Sequence, residues 1–322
     1  MLININKTEN IIKKYYKILK YINNKTNNDF IFERIDLSEQ TIIDQLNENI
    51  NGKFTINDIK KEIIQMKYIY KVSFEESVVI IFSKTPILNN SINLKCLIKI
   101  IKYLQNIGSK DKLTAYLYLS ESKRIVHNSC FNVKAVNGGY TRFGDKKMVV
   151  WRKEDGIKVF IHELIHYFDI DKQFRGYGDI NNYTNENVTN NSDLSFEAFT
   201  DFIAINFYMV YLSLIANDVS IKLLQCNFCD QYNFSLLQGF KIIKFSKIND
   251  GYKIINTTNV YSYYLLKLYI MIFYRNSSLS KINIDELVKK SLNFYKKPLI
   301  KKYINKIKLD NKINMAYKQI YL

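Results

Sequence analysis

The chain reads as an α+β fold, and three observations predict it. Short β-branched runs, Val78–Ser83 and Leu113–Leu119 among them, stand beside longer apolar stretches of helical period. The strands gather before residue 155, whereas the chain after Leu194 is mostly helical in pattern. Finally, 322 residues that are 47% hydrophobic can bury a full core, and 2 prolines and 10 glycines leave no room for long Pro/Gly linkers.

Taken in order, Ile11–Ile22 is an amphipathic helix that opens an accessory α/β region over residues 1–85, closed by the strand Val78–Ser83. Pro86 and the Asn-rich stretch after it mark a boundary. Asn93–Ile107 is then a helix stopped by Gly108, and Leu113–Leu119 a strand, with further strands around 131–136 and 147–152. A helix follows from Gly156, with Asp155 as its N-cap. Residues 171–193 are a polar loop suited to the rim of a cleft, and Leu194 to about Tyr274 forms a helical lower half. Ile282–Leu322 reads as one or two basic amphipathic helices broken at Pro298. The expected organisation is therefore 1–85, a main domain at 86–280 with halves 86–170 and 171–280, and a tail at 281–322.

The chemistry begins at residues 162–166, His-Glu-Leu-Ile-His, which hold two of the 3 histidines in the chain. Imidazoles four residues apart lie one turn apart on one face of a helix, so both can reach one metal ion. Glu163 points about a quarter-turn away and can address a water beside that ion. The apolar positions Ile157, Ile161, Leu164, Ile165 and Phe168 seat the helix in a core, which pre-orients the pair.

A catalytic zinc site commonly takes three protein ligands and keeps one position open. No histidine follows His166, so the third ligand is a carboxylate or the upstream His127. Asp169 and Lys172 occupy the places where a metzincin would carry glycine and histidine, and that subclass is excluded. The best carboxylates lie in Ser195–Phe202, where Glu197 and Asp201 share one face of a strongly apolar helix. Inward carboxylates there are costly unless they meet a cation. Glu197 is assigned to the metal, and Asp201 to the outer N–H of a histidine ligand. The competing reading is an acidic stripe at a helix start, favoured by the macrodipole.

His162-Glu163-x-x-His166 followed by Glu197-x-x-x-Asp201 resembles the gluzincin zinc metallopeptidases over residues 130–205. The resemblance implies a zincin-like domain with a mixed sheet and active-site helix above a helical lower lobe. It also implies one Zn2+ on His162, His166 and Glu197, and Glu163 as general base. The Asn137-Gly138-Gly139 turn stands where such enzymes carry an edge strand that pairs with an extended peptide substrate, and it reads equally as an ordinary hairpin turn. The downstream histidine that stabilises the oxyanion in such enzymes is missing here. A tyrosine can replace it, and Tyr263 or Tyr264, at the start of an apolar helix, is the expected source.

Composition bounds the rest. Cys96 and Cys130 read as isolated buried thiols, and Cys226-x-x-Cys229 lacks the second pair that a structural zinc needs. The first residues lack the apolar core of a signal peptide, and the most apolar run, Phe202–Ala216, is short for a membrane span, so an intracellular site is expected. The net charge of +17 is compatible with nucleic acid or an anionic surface as partner. Yet the lysines are dispersed, and an AT-rich genome, as in large DNA viruses, accounts for the excess of Lys, Asn, Ile and Tyr. The expected activity is hydrolysis of peptides or proteins. The rivals are another zinc hydrolase, such as an amidase or deformylase-like enzyme, and an inactive zincin-fold binding module.

Overall fold

A computed structural model of the chain describes residues 9–26, 29–49, 57–87, 92–127, 136–142, 146–172, 188–189, 194–245, 254–255, 261–273, 284–306 and 312–314. The N-terminal part comprises α1 (Glu9–Lys25), β1 (Ile31–Arg34), α2 (Glu39–Asn49), α3 (Asn57–Ile64), β2 (Tyr68–Phe74) and β3 (Ser77–Ser83). Next come α4 (Ile92–Ile107), β4 (Thr114–Tyr118), β5 (Ile125–His127), β6 (Gly139–Arg142), β7 (Lys147–Val150) and α5 (Gly156–Tyr167). The remainder is β8 (Val188–Thr189), α6 (Leu194–Ile215), α7 (Ile221–Phe245), β9 (Ile254–Ile255) and a π-helical turn, Tyr261–Leu266, running into α8 (Lys267–Phe273). The chain closes with α9 (Ile284–Lys296), α10 (Pro298–Lys306) and β10 (Lys312–Asn314).

Six strands form one mixed sheet in the order β1-β2-β3-β4-β7-β6. The central pairs β3–β4 and β4–β7 are parallel, and the outer pairs are antiparallel. Strand alternation gives the sheet two apolar faces. Ala115, Leu117, Met148 and Val150 point into the main core under α1, α4, α5 and α6. Tyr116, Tyr118, Val149 and Trp151 point the other way, onto Ile42 of α2 and Ile63 of α3. Each such side chain removed from water contributes about 1.5–3 kcal/mol, which holds the layers together.

The boundary expected at residues 85 and 86 falls inside this sheet, since β3 and β4 pair across it from Val78↔Thr114 to Phe82↔Tyr118. The described residues before 86 therefore share their sheet and core with those that follow. The strand expected at 131–136 lies outside the described residues except for Val136. The strand that pairs with β7 starts at Gly139, so of the two readings of Asn-Gly-Gly the structure has the entry into an edge strand, not a hairpin turn. The break at Pro298 separates α9 from α10 as anticipated.

α6 has the length and composition to cross a bilayer, yet 89% of its apolar window is buried against the rest of the fold. It is apolar all round because it is surrounded, by α1, α4, α5, α7 and the π-helical turn. Cys96 is a buried free thiol, and Cys226 and Cys229 are free on α7; Cys130 lies outside the described residues.

Candidate metal centre

Every residue of α5 is buried, because the helix lies between the sheet and α6. Asp155 occupies the N-cap position as expected, but it does not cap through its side chain. Asp155 adopts a left-handed conformation (φ 47°) and its side chain makes no cap hydrogen bond. Its carboxylate instead forms a buried ion pair with Arg124 at 3.3 Å. Its neighbour Glu154 accepts a 2.7 Å hydrogen bond from the Arg124 amide.

At the other end, Asp169 takes a left-handed conformation (φ 56°). The amide of Ile170 donates to Ile165 O (3.0 Å) and that of Asp169 to His166 O (3.1 Å), closing the helix in a Schellman-type turn. Glycine is the usual residue there, but a short polar side chain also tolerates it. This reversal brings Asp171, fully buried, back onto Nδ1 of His166. The Thr200 hydroxyl donates to the same Asp171 oxygen at 2.9 Å, so α6 fixes the carboxylate that fixes the histidine. The loop expected to rim the cleft thus begins with a buried contact behind the site; residues 173–187 lie outside the described residues.

His162 and His166 turn their Nε2 atoms toward one point, 3.1 Å apart. Glu197, from the first turn of α6, places Oε2 at 3.2 Å from His162 Nε2 and 3.5 Å from His166 Nε2. Ligand atoms bound to one tetrahedral zinc at 2.0–2.1 Å stand about 3.3 Å from each other. The three observed separations bracket that value. Glu197 Oε2 is buried and makes no aligned hydrogen bond among the described residues, as an oxygen reserved for a cation would. His162, His166 and Glu197 form a triad able to hold a metal ion.

The electrostatics are those of a site that favours positive charge at this point. Burial pushes the His162 imidazolium down to about 4, which leaves a neutral ligand. Burial also opposes charge on His166, but Glu197 and Asp171 outweigh it and hold that group up to about 10. Burial would raise the Glu197 carboxyl, yet the two histidines bring it well below the carboxylate range. Glu163 shows the reverse, its carboxyl pushed up to about 7 by burial.

Glu163 lies beside the triad, facing β6. The Thr141 hydroxyl sits 2.9 Å from its Oε2 and 3.0 Å from its backbone carbonyl. Gly139 is needed here by contact: an added Cβ would sit 3.0 Å from Glu163 Cγ and 3.0 Å from Val149 O. Among the described residues β6 pairs with β7 alone as a strand, at the border of the sheet beside Glu163. Asn137, Gly138 and Gly139 thus enter the sheet edge next to the triad, with Trp151 N donating to Gly138 O at 2.9 Å.

Asp201 stands 3.3 Å from the outer nitrogen of His162, Nδ1, but that nitrogen makes no aligned hydrogen bond among the described residues. Its surroundings were not expected. Asp201 is also paired with Lys158, one turn before His162, and with Lys267 of α8 at 2.8 Å. All three are buried. Tyr263 and Tyr264 separate in role. The Tyr263 ring packs edge-on against His162, 5.7 Å between centroids. Tyr264 is buried, and its hydroxyl accepts from Arg124.

Asp171, Thr141, Arg124, Lys158 and Lys267 were missed by the sequence reading. The signals available were faint: a lysine at i−4 from His162, and an Asp two residues beyond a left-handed helix end. No family model, no curated protein and no solved structure matches this chain.

Proposed function

We propose that the chain is a zinc-dependent peptidase with a zincin-like, gluzincin-type site. One observation carries the reading: the near-equal separations of 3.1, 3.2 and 3.5 Å among His162 Nε2, His166 Nε2 and Glu197 Oε2. A two-histidine, one-carboxylate set of that size suits Zn2+, which when bound polarises a carbonyl and acidifies water. Asp171 holds the His166 ring from behind and sets which of its nitrogens faces the ion, and Asp201 lies on the outer side of His162.

Glu163 acts as the general base, taking a proton from the attacking water and passing it to the leaving amine. Thr141 orients its carboxylate. The border strand β6, entered through Asn137, Gly138 and Gly139, is the strand that would pair with an extended substrate and align the scissile bond beside Glu163. Tyr263, whose ring lies against His162, is the tyrosine placed nearest the triad to donate to the developing oxyanion.

The test is a metal analysis paired with a peptide library. Wild type binds about one zinc and cleaves peptides; Glu163→Gln keeps the zinc and loses turnover. Cleavage of N-formyl or simple amide substrates in preference to peptides would move the assignment to an amidase. A protein that takes up no zinc on reconstitution ends the proposal.

A further inference from the structure

A cavity of about 350 Å³ opens between α6 and α7, away from the triad. Tyr208 on its wall lies about 16 Å along α6 from Glu197, at 1.5 Å per residue. Tyr208, Leu212 and Ile215 stand four and three apart on α6, as do Leu223, Asn227 and Asp230 on α7, so each set is a single stripe. Facing stripes of packed helices ordinarily interdigitate. Here they enclose space in the range of small-molecule pockets, about 300–1,000 Å³. Tyr208 is buried, and Leu212, Ile215 and Leu223 are half-buried, so the walls are largely apolar.

Two acceptors stand one turn apart on the α7 stripe. The Ser213 hydroxyl donates to Met209 O at 3.1 Å, so its oxygen is left to accept from Asn227 Nδ2 at 3.2 Å. That bond fixes the Asn227 amide and leaves Oδ1 as an unsealed acceptor on the wall. Asp230 is exposed at the mouth, and its carboxylate makes no ion pair among the described residues. In a chain with 47 Lys and Arg, none stands on the described walls of this cavity. Apolar walls favour an apolar body in place of water, and two acceptors with no neighbouring cation favour a head that only donates. We infer that the cavity is a binding site for a small primary amine, its ammonium held by Asp230 and Asn227 Oδ1 and its compact apolar body between Tyr208, Leu212 and Leu223. The charge-assisted bond to Asp230 is the stronger of the two polar contacts. This site is independent of the hydrolytic reading.

Calorimetry on the full-length protein tests it with three amines and the acids of matching body. The pairs are isopentylamine with 4-methylpentanoate, phenethylamine with 3-phenylpropionate, and tryptamine with indole-3-propionate. At least one amine should bind, and at least tenfold tighter than its acid. That preference runs against the net charge of +17, which by itself attracts acids. Asp230→Asn should weaken the bound amine at least fivefold, with an unchanged melting curve because the side chain is exposed. Leu212→Trp fills the space and should abolish binding; where that variant does not fold, Asp230→Asn and the wild-type comparison still decide. Wild type that binds none of the amines, or amines and acids alike, overturns the site, as does full affinity in Asp230→Asn. Amine binding that disappears when zinc is stripped would put the amine at the triad and overturn the assignment to this cavity.

Discussion

Asp171 bonds the outer nitrogen of His166 from five residues further along the chain, held in place by the hydroxyl of Thr200. The contact turns Nε2 of His166 toward Glu197 and joins the end of α5 to the start of α6. Asp171→Asn keeps the shape of this contact but removes the negative charge that makes the imidazole a better ligand. Zinc affinity should fall by about 10–100-fold, measured by competition with a chromogenic chelator, while the far-ultraviolet circular dichroism stays unchanged. Unaltered affinity would show that the carboxylate only packs.

Thr141 presents its hydroxyl to Glu163 from the sheet edge. Thr141→Val removes that hydrogen bond and keeps the β-branched shape that β6 favours. The expected result is a fall in kcat of about tenfold with KM and zinc content near wild type, and recovery in Thr141→Ser. A change in KM alone would place Thr141 in substrate binding.

Glu62, at the end of α3, ties the N-terminal residues to the central strands. Its carboxylate accepts from Ser120 Oγ and the Glu121 amide (2.8 Å) and pairs with Lys84 at 3.0 Å. Burial pushes its carboxyl up, but these three partners outweigh it and the net shift is downward. A folded value below the unfolded one means stability that is present above the ordinary carboxylate value of about 4.3 and is lost as pH falls through the folded value. Glu62→Gln should therefore lower stability at neutral pH and flatten the acid limb of a stability-versus-pH curve from urea titrations. A wild-type acid limb in the variant would remove Glu62 from that role.

His162, His166 and Glu197 were readable from sequence because local helical geometry decides them. Spacing of four aligns the imidazoles, and Glu197 stands out at the head of an apolar helix. The same logic found Asp201 but not its lysines, since Lys267 arrives through packing of α8 that no local pattern encodes. Asp171 was hidden for another reason, a left-handed turn made by Asp169 where glycine would have advertised it. The division at Pro86 misread a loop as a boundary, because pairing of β3 with β4 is a long-range event across helix α4. Asp155 looked like a cap by residue type, but Arg124, 31 positions earlier, claims its carboxylate.

The buried cluster around Asp201 makes the most demanding prediction. Asp201 faces Lys158, Lys267 and Nδ1 of His162, all inside the fold. Burial drives both lysines well below their ordinary range, so each depends on nearby carboxylates for whatever charge it keeps. Removing the shared carboxylate leaves two desolvated amines facing a histidine. Asp201→Ala should cost about 3–5 kcal/mol in urea unfolding of the metal-free protein, the range for breaking a buried pair from one side. Lys267→Met should cost less, because Lys158 still answers Asp201 and a methionine fills the space of the lysine stem. The double variant should then be less destabilised than the sum of the two, since the amine stranded by the first change is removed by the second. Strict additivity would mean that Asp201 and Lys267 do not stabilise one another, and Asp201 would then act mainly through Lys158 and His162.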